Sequence, residues 1–312
     1  MNKISIIIPV FNEPSLPKTI QRLLNLKNKI SQYEFELIFV DDGSKDNSLK
    51  YLLEFREKFP EIIKVVKLSR NFGGHSAIRA GLKISEGNCV GVISADLQDP
   101  PELFLDMIKY WEKGSKIVLA VRKERHDSIT SKITANIYYN LLKKYAIPNF
   151  PKGGFDFYLI DRQVVNELNR LPEKNTTTMN LLVWLGFDYV TIPYVREKRE
   201  EGNSGWSLSK KIKLVIDSFI AFSYLPIKLL PILGGIFAIG SFVYGGIVFY
   251  NWFIGKTPIE GWTSTIILVT FIGGIQMIML GILGEYLWRT LDEIRTRPTF
   301  VIDKIFDNKK NN

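Results

Sequence analysis

Asp96, Gln98 and Asp99, three side chains that carry oxygen, fall within four positions directly after an apolar run. Hard oxygen ligands in such a place suit Mg2+ or Mn2+. An ion held there can bridge a diphosphate and neutralise the charge that develops as it leaves. The same stretch, Asp99-Pro100-Pro101-Glu102, is also a good helix start with proline in its first turn. On these residues alone both readings stand. Together they assign Asp99 to a helix cap and turn Asp96 and Gln98 toward a ligand. The two histidines, His75 and His126, lack a paired ligand spacing and read as polar surface or loop residues. The single cysteine, Cys89, excludes an intrachain disulfide and a cysteine-based zinc cluster. It reads as a buried small hydrophobe within a strand.

The elements that must carry these residues alternate in type. Strand patterns cover Ile4–Val10, Phe35–Val40, Ile62–Leu68, Cys89–Ser94 and Lys116–Val121. Helical spacing covers Pro14–Ile30, Lys45–Lys58, His75–Ser85 and Pro101–Trp111. Short all-apolar strands alternating with helices imply an α/β fold with a mostly parallel sheet covered on both faces. Ligands in such folds bind beyond the carboxyl ends of the strands. Four strand exits carry polar or charged residues: Pro9–Glu13, Asp41–Ser44, Ala95–Asp99 and Arg122–Arg125. No G-x-G-x-x-G follows the first strand and there is no Walker A motif, which disfavours dinucleotide and P-loop chemistry.

The last third of the chain has a different character. Leu229–Ile254 is 26 residues without a charge, and Thr263–Gly284 is 22 more. A bilayer core needs about 20 apolar residues as helix, so both qualify as transmembrane helices, about 229–254 and 263–287. Eight residues, Gly255–Trp262, join them into a hairpin, so both outer flanks lie on one side. The flank Arg196–Lys213 holds six Lys/Arg against three Glu, and Arg289, Arg295 and Arg297 follow the second span. The positive-inside rule then places both termini in the cytoplasm, on the cytoplasmic (inner) membrane. Ser207–Leu225 has an apolar and a charged face, as does a helix lying in the headgroup plane. The expected divisions are a catalytic domain 1–206, a juxtamembrane helix 207–226, the two spans within 227–289, and a cytoplasmic tail 290–312. The N-terminal apolar run is too short for a signal peptide. Glycine pairs in both spans point to close helix packing and a homo-oligomer, with a tetramer as one arrangement.

The chain has 312 residues, and 41 Lys+Arg against 32 Asp+Glu give a net charge of +9. Such an excess suggests polyanionic partners. Nucleic acid has no supporting motif.

Four motifs appear in order: Pro9-Val10-Phe11-Asn12-Glu13, Val40-Asp41-Asp42-Gly43-Ser44, Arg70-Asn71-Phe72-Gly73 and Ala95-Asp96-Leu97-Gln98-Asp99-Pro100-Pro101-Glu102. Together they resemble family 2 glycosyltransferases of GT-A fold, and within them the polyprenyl-phosphate glycosyltransferases. The hairpin strengthens the resemblance to the bactoprenol glucosyltransferase branch. The resemblance implies that Pro9, Phe11, Glu13, Asp41, Asp42 and Ser94 hold a nucleotide sugar, together with Asp96. It implies a divalent metal, Mg2+ or Mn2+, on Asp96 and Gln98. Asp156 matches the aspartate proposed as catalytic base, and Arg122 would meet a phosphate. Arg199, Ser204 and Trp206 resemble the segment closing over the site beside the membrane. With Lys132 and Arg122 they would serve the acceptor phosphate. Two departures stand out. The usual Asp-Ala-Asp is Ser94-Ala95-Asp96 here, and Gly205 replaces the usual lysine between the serine and the aromatic. The implied reaction is inverting transfer of one hexose, glucose from UDP-glucose by default, to undecaprenyl phosphate. N-acetylglucosamine, galactose and mannose are the alternatives. A phosphate monoester has a second pKa of about 6, so this acceptor is mostly dianionic at neutral pH. Asp156 is then expected to orient the acceptor or a sugar hydroxyl. A processive polysaccharide synthase is disfavoured because no Gln-x-x-Arg-Trp is present, and an inactive scaffold is favoured only by Ser94.

Overall fold

The computed structural model describes residues 2–124, 129–151, 153–197, 208–223, 225–255 and 261–308. It divides into two compact units, Met1–Val215 with Pro298–Asn312, and Ile216–Arg297.

The first unit is a single eight-stranded sheet. Its strands are β1 (Lys3–Val10), β2 (Glu34–Asp41), β3 (Ile63–Leu68), β4 (Cys89–Val92), β5 (Ile117–Glu124), β6 (Phe157–Asp161), β7 (Tyr189–Val195) and β8 (Ile302–Phe306). They lie in the order β7-β5-β6-β4-β1-β2-β3-β8. β1 pairs in parallel with β2 and β4, β2 with β3, and β5 with β7. Only β6 and β8 run against the rest. The expectation of a mostly parallel sheet therefore holds for six strands.

The interior strands are nearly free of charge because the sheet is covered on both faces. In β1, Ile4, Ile6 and Ile8 share a core with Leu16, Ile20 and Leu23 of helix α1 (Leu16–Lys29). Ile7 points to the other face, toward helix α3 (Gly74–Ile84), which follows α2 (Ser48–Lys58). A Cβ on Gly81 of α3 would lie 2.5 Å from Ile7 Cγ2, so only glycine permits that approach. Beyond β4, a short 3₁₀ turn Pro101–Leu103 leads into α4 (Phe104–Glu112). There the Phe104 ring packs edge-on to Phe157 of β6. Helices α5 (Ile129–Tyr145), α6 (Arg162–Arg170) and α7 (Thr178–Trp184) complete this unit's helices ahead of α8 (Leu208–Phe222).

The second unit consists of the end of α8 and two long helices, α9 (Leu225–Phe253) and α10 (Trp262–Ile294). Ile227–Asn251 and Leu268–Ile294 are long and apolar enough to cross a membrane, and neither stretch is buried within the protein. Phe237 of α9 meets Phe271 of α10 edge-on. Arg289 pairs with Glu285 one turn away and with Asp217 of α8.

The second long helix continues to Ile294, beyond the expected span of about 263–287. Residues 290–312 are also more than a tail, because β8 within them pairs antiparallel with β3 and closes the sheet edge. Phe306 packs against the core, Lys67 pairs with Asp303 at 2.6 Å, and the Arg56 guanidinium donates to the Asp307 carbonyl. The reason is physical: β3 would otherwise expose an open ladder of backbone groups. Truncation after Arg297 should therefore lower the thermal midpoint of the purified protein by several degrees. An unchanged midpoint would mean that β8 contributes no more than a tail.

Candidate active site

The six parallel strands deliver their carboxyl ends to one edge of the sheet. β6 runs the other way, so the residue before it lies at that same edge. That residue is Asp156. The register Ala120↔Phe157 brings Arg122, two residues on in β5, next to it, and the two side chains form an ion pair. On its other side β5 is in register with β7, Arg122 against Tyr194. The Arg122 side chain also bonds to the Tyr194 phenol. Burial works against the Arg122 charge, but Asp156 and Tyr194 outweigh it and hold the guanidinium firmly protonated.

Tyr194 passes the connection to the β4 exit. Its hydroxyl donates to Asp99 Oδ1 at 2.6 Å. The Ser94 hydroxyl lies 2.8 Å from Asp99 Oδ2 and 2.6 Å from Asp96 Oδ1. A hydroxyl has one proton and cannot donate to both. Burial raises the Asp99 pKa, which favours a proton on that carboxyl. Arg196, just past β7, approaches both acids, at 3.5 Å from Asp99 and 3.7 Å from Asp96. The next residue, Glu197, donates its backbone N–H to the Gln98 carbonyl and pairs with Arg22 of α1. The β7 exit is thus fastened onto the Asp96–Asp99 loop. That loop carries strain: Leu97 has φ +57°, a conformation unfavourable for any residue with a side chain.

Asp99 does not cap a helix, contrary to expectation. Pro100 precedes the 3₁₀ turn and no side chain caps it, while the Asp99 side chain is fully buried in the network. Ser94, in place of the usual aspartate, aligns Asp96 and Asp99 instead of adding a third charge.

At the other end of the edge, the Asp42 carboxylate accepts from the Phe72 and Gly73 N–H groups, at 2.7 and 2.8 Å. It thereby holds the Arg70–Gly73 loop. Gly43 turns with φ +71°, and a Cβ there would lie 2.7 Å from the Arg70 carbonyl carbon. Asp41 is buried, and its Oδ2 has no partner. Desolvation raises the pKa of both acids. Phe11 is 47% exposed and Pro9 half-buried at the β1 exit. Glu13 is buried and accepts from the Ser15 N–H and hydroxyl.

The structure therefore gathers Pro9, Phe11, Asp41, Asp42, Ser94, Asp96, Gln98, Arg122 and Asp156 along one sheet edge. Lys132 lies in α5 with its side chain outside the description. Arg199, Ser204, Trp206 and His126 fall outside the described residues. His75 is corrected from a surface position: it is the second residue of α3, with Nδ1 buried and unpartnered. Tyr194, Arg196 and a buried Asp99 were not anticipated. The strand-exit rule would have found the first two had β7 been recognised.

Residues 5–168 match the profile described as "Glycosyl transferase family 2". The chain belongs to that family. It is a glycosyltransferase, and its sheet is of GT-A type. Among its relatives, the uncharacterized glycosyltransferase YkcC of Bacillus subtilis (strain 168) is 39% identical, covering 98% of this chain and 95% of its own. The SfII prophage-derived bactoprenol glucosyl transferase of Shigella flexneri is 34% identical, covering 97% and 98%. A solved mannosyltransferase, PcManGT of Pyrobaculum calidifontis in complex with GDP-Man and Mn2+, aligns with TM-score 0.52 at 16% identity, over 94% and 86% of the chains.

The donor set of this glycosyltransferase suits a divalent ion that arrives with a diphosphate. Among the described residues, no three or more acidic, histidine or cysteine side chains are placed together so as to hold a metal ion by themselves. Asp96 supplies one carboxylate. Gln98 donates its amide nitrogen to the Glu197 carbonyl at 3.3 Å, which turns its amide oxygen to other use. Mg2+ characteristically takes one or two carboxylates and completes its shell with phosphate and water.

Tyr194→Phe tests the network. The ring packing on Phe157 survives, but Asp99 loses a donor. Unfolding measurements should show a loss of about 1–3 kcal/mol, with reduced transfer activity. A variant equal to wild type in both would show that this bond organises nothing.

Proposed function

We propose that this glycosyltransferase moves a single hexose, glucose foremost, from a nucleoside-diphosphate sugar, UDP-glucose foremost, to the phosphate of undecaprenyl (polyprenyl) phosphate. The transfer inverts the anomeric centre at the cytoplasmic face of the membrane, and the product serves cell-envelope glycan modification. The observation that carries this reading is the near-full-length match to a bactoprenol glucosyl transferase, which includes the two apolar helices.

The chemistry is one displacement. An acceptor phosphate oxygen forms a bond to the anomeric carbon, and the bond from that carbon to the diphosphate oxygen breaks. The nucleoside diphosphate leaves with the electron pair. The acceptor is mostly dianionic above pH about 6, so no side chain need remove a proton. Asp156, held in an ion pair with Arg122, is better suited to orienting a hydroxyl or the acceptor than to acting as a base. Arg122, kept charged within the network, offsets the repulsion of a phosphate approaching a diphosphate. Asp42 and the 70–73 loop bind the nucleoside end, with Pro9, Phe11 and Asp41. A divalent ion on Asp96 and the Gln98 amide oxygen would neutralise charge on the departing diphosphate. Lys132, Arg199, Ser204 and Trp206 remain candidates for the acceptor phosphate. The apolar helices insert in the bilayer, with both termini cytoplasmic.

Incubating membranes with labelled UDP-glucose and undecaprenyl phosphate should give labelled lipid. Labelled polymer would instead indicate a processive synthase, and no product an inactive scaffold. Asp156→Asn should lower turnover roughly 100-fold or more while UDP binding persists. The wild-type pH–rate profile should follow phosphate ionisation alone; an additional limb lost in Asp156→Asn would restore the base role. EDTA should abolish transfer and Mn2+ restore it. Full activity in EDTA would remove the metal from Asp96 and Gln98.

A further inference from the structure

Arg196, the residue directly after β7, stands where two acids meet. Its Nη2 is 3.7 Å from Asp96 Oδ2 and its Nε is 3.5 Å from Asp99 Oδ1. Both distances exceed those of ordinary N–H···O hydrogen bonds, and the buried Nε has no hydrogen-bond partner among the described residues. The acids are bonded to other groups. Asp99 Oδ1 accepts from the Tyr194 hydroxyl at 2.6 Å. Asp96 Oδ1 lies 2.6 Å from the Ser94 hydroxyl and accepts from the Gln98 N–H at 3.3 Å. The guanidinium is thus held beside the two acids by charge and not by directional bonds.

The backbone that follows it is fixed. Glu197 donates its N–H to the Gln98 carbonyl at 2.8 Å, and its carboxylate accepts from two nitrogens of Arg22 at 2.8 and 3.0 Å. What can change place is the Arg196 side chain, which is 26% exposed, and Asp96 beside it is 14% exposed, so a ligand can reach both. A second cation on Asp96 would stand next to this guanidinium, and like charges at such range repel. A diphosphate reverses the sign, because a planar guanidinium bonds phosphate oxygens in pairs. We propose that Arg196 serves as the counter-ion of Asp96 until the donor arrives, then yields Asp96 to the divalent ion and turns to the diphosphate. Arg196 therefore opposes the metal alone, favours the nucleotide, and makes the two bind together more tightly than either does singly. This rests on the nucleotide-sugar and metal reading above.

Both affinities can be measured on the full-length protein without the lipid acceptor. Electron paramagnetic resonance reads the binding of Mn2+ alone, and calorimetry reads UDP in Mn2+ or in EDTA. With allowance for the Mn2+–UDP complex in solution, UDP should tighten Mn2+ binding by wild type roughly tenfold, and Mn2+ should tighten UDP binding by the same factor. Arg196→Gln should bind Mn2+ alone roughly three- to fivefold more tightly than wild type. The same variant should bind UDP in Mn2+ roughly tenfold more weakly. A residue that merely supports the fold would weaken both. Arg196→Lys keeps the charge but loses the fork, so it should bind Mn2+ alone as wild type does and still bind UDP more weakly. Mn2+ binding by Arg196→Gln no tighter than that of wild type, or UDP binding undiminished in either variant, overturns the inference and leaves the transfer reading intact. A wild type that binds UDP equally well in Mn2+ and in EDTA overturns the metal reading with it.

Discussion

The buried Asp99 carboxyl is the joint on which the sheet edge depends. It lies at a strand exit where the local sequence offers it no backbone partner, so it must find donors elsewhere or lose much of its solvation. Tyr194 supplies one, and Ser94 shares a second contact. Because Tyr194 belongs to β7 and touches Arg122 of β5, meeting this one need sets the relation among three strand exits. Asp96 is aligned by the same serine, and Asp156 by the same arginine. The groups assigned to the diphosphate and to the reacting sugar therefore occupy fixed positions before any ligand arrives, which is the arrangement electrostatic catalysis needs.

Both ends of the edge use carboxylates, to different ends. Asp42 is spent almost wholly on backbone N–H groups and acts as a brace for the 70–73 loop. Asp96 and Asp156 meet cations: Arg196 approaches the first and Arg122 holds the second. An arginine beside each acid limits the net negative charge that this edge presents, as the proposed anionic donor and acceptor would require. The overall excess of +9 thus matters less than where a few guanidinium groups stand.

The parallel half of the fold was legible because each strand is a short apolar run ended by polar residues, and parallel strands buried on both faces must look that way. The strand-exit rule then led to Asp41, Asp96 and Arg122. β6 and β7 escaped notice, the first following a glycine pair and the second being only partly buried. β8 escaped because Ile302-Asp303-Lys304-Ile305-Phe306 carries two charges in five residues and becomes a strand only by meeting β3, some 235 positions earlier. Asp99 was misread for the opposite reason. Asp-Pro-Pro-Glu satisfies every local rule for a helix start, and a hydroxyl 95 residues away overrides them. His75 shows the same limit, since nothing local seals one of its nitrogens.

The helical unit obeys a different constraint. Phe242 is 84% exposed and Phe253 75%, on helices whose apolar stretches are largely exposed. In water such surface would be costly at about 25 cal/mol per Å2, while in hydrocarbon it is the favourable side. α10 has 33 residues, about 50 Å as helix, against a hydrocarbon thickness of about 30 Å. Its charged residues gather at one end, from Glu285 to Ile294. There Arg289 binds Glu285 and Asp217 of α8 with its own side chain only 13% exposed. A lone guanidinium near an apolar boundary would be strongly disfavoured, whereas one paired with two carboxylates is not. The pairing also ties the last turns of α8 to the charged end of α10.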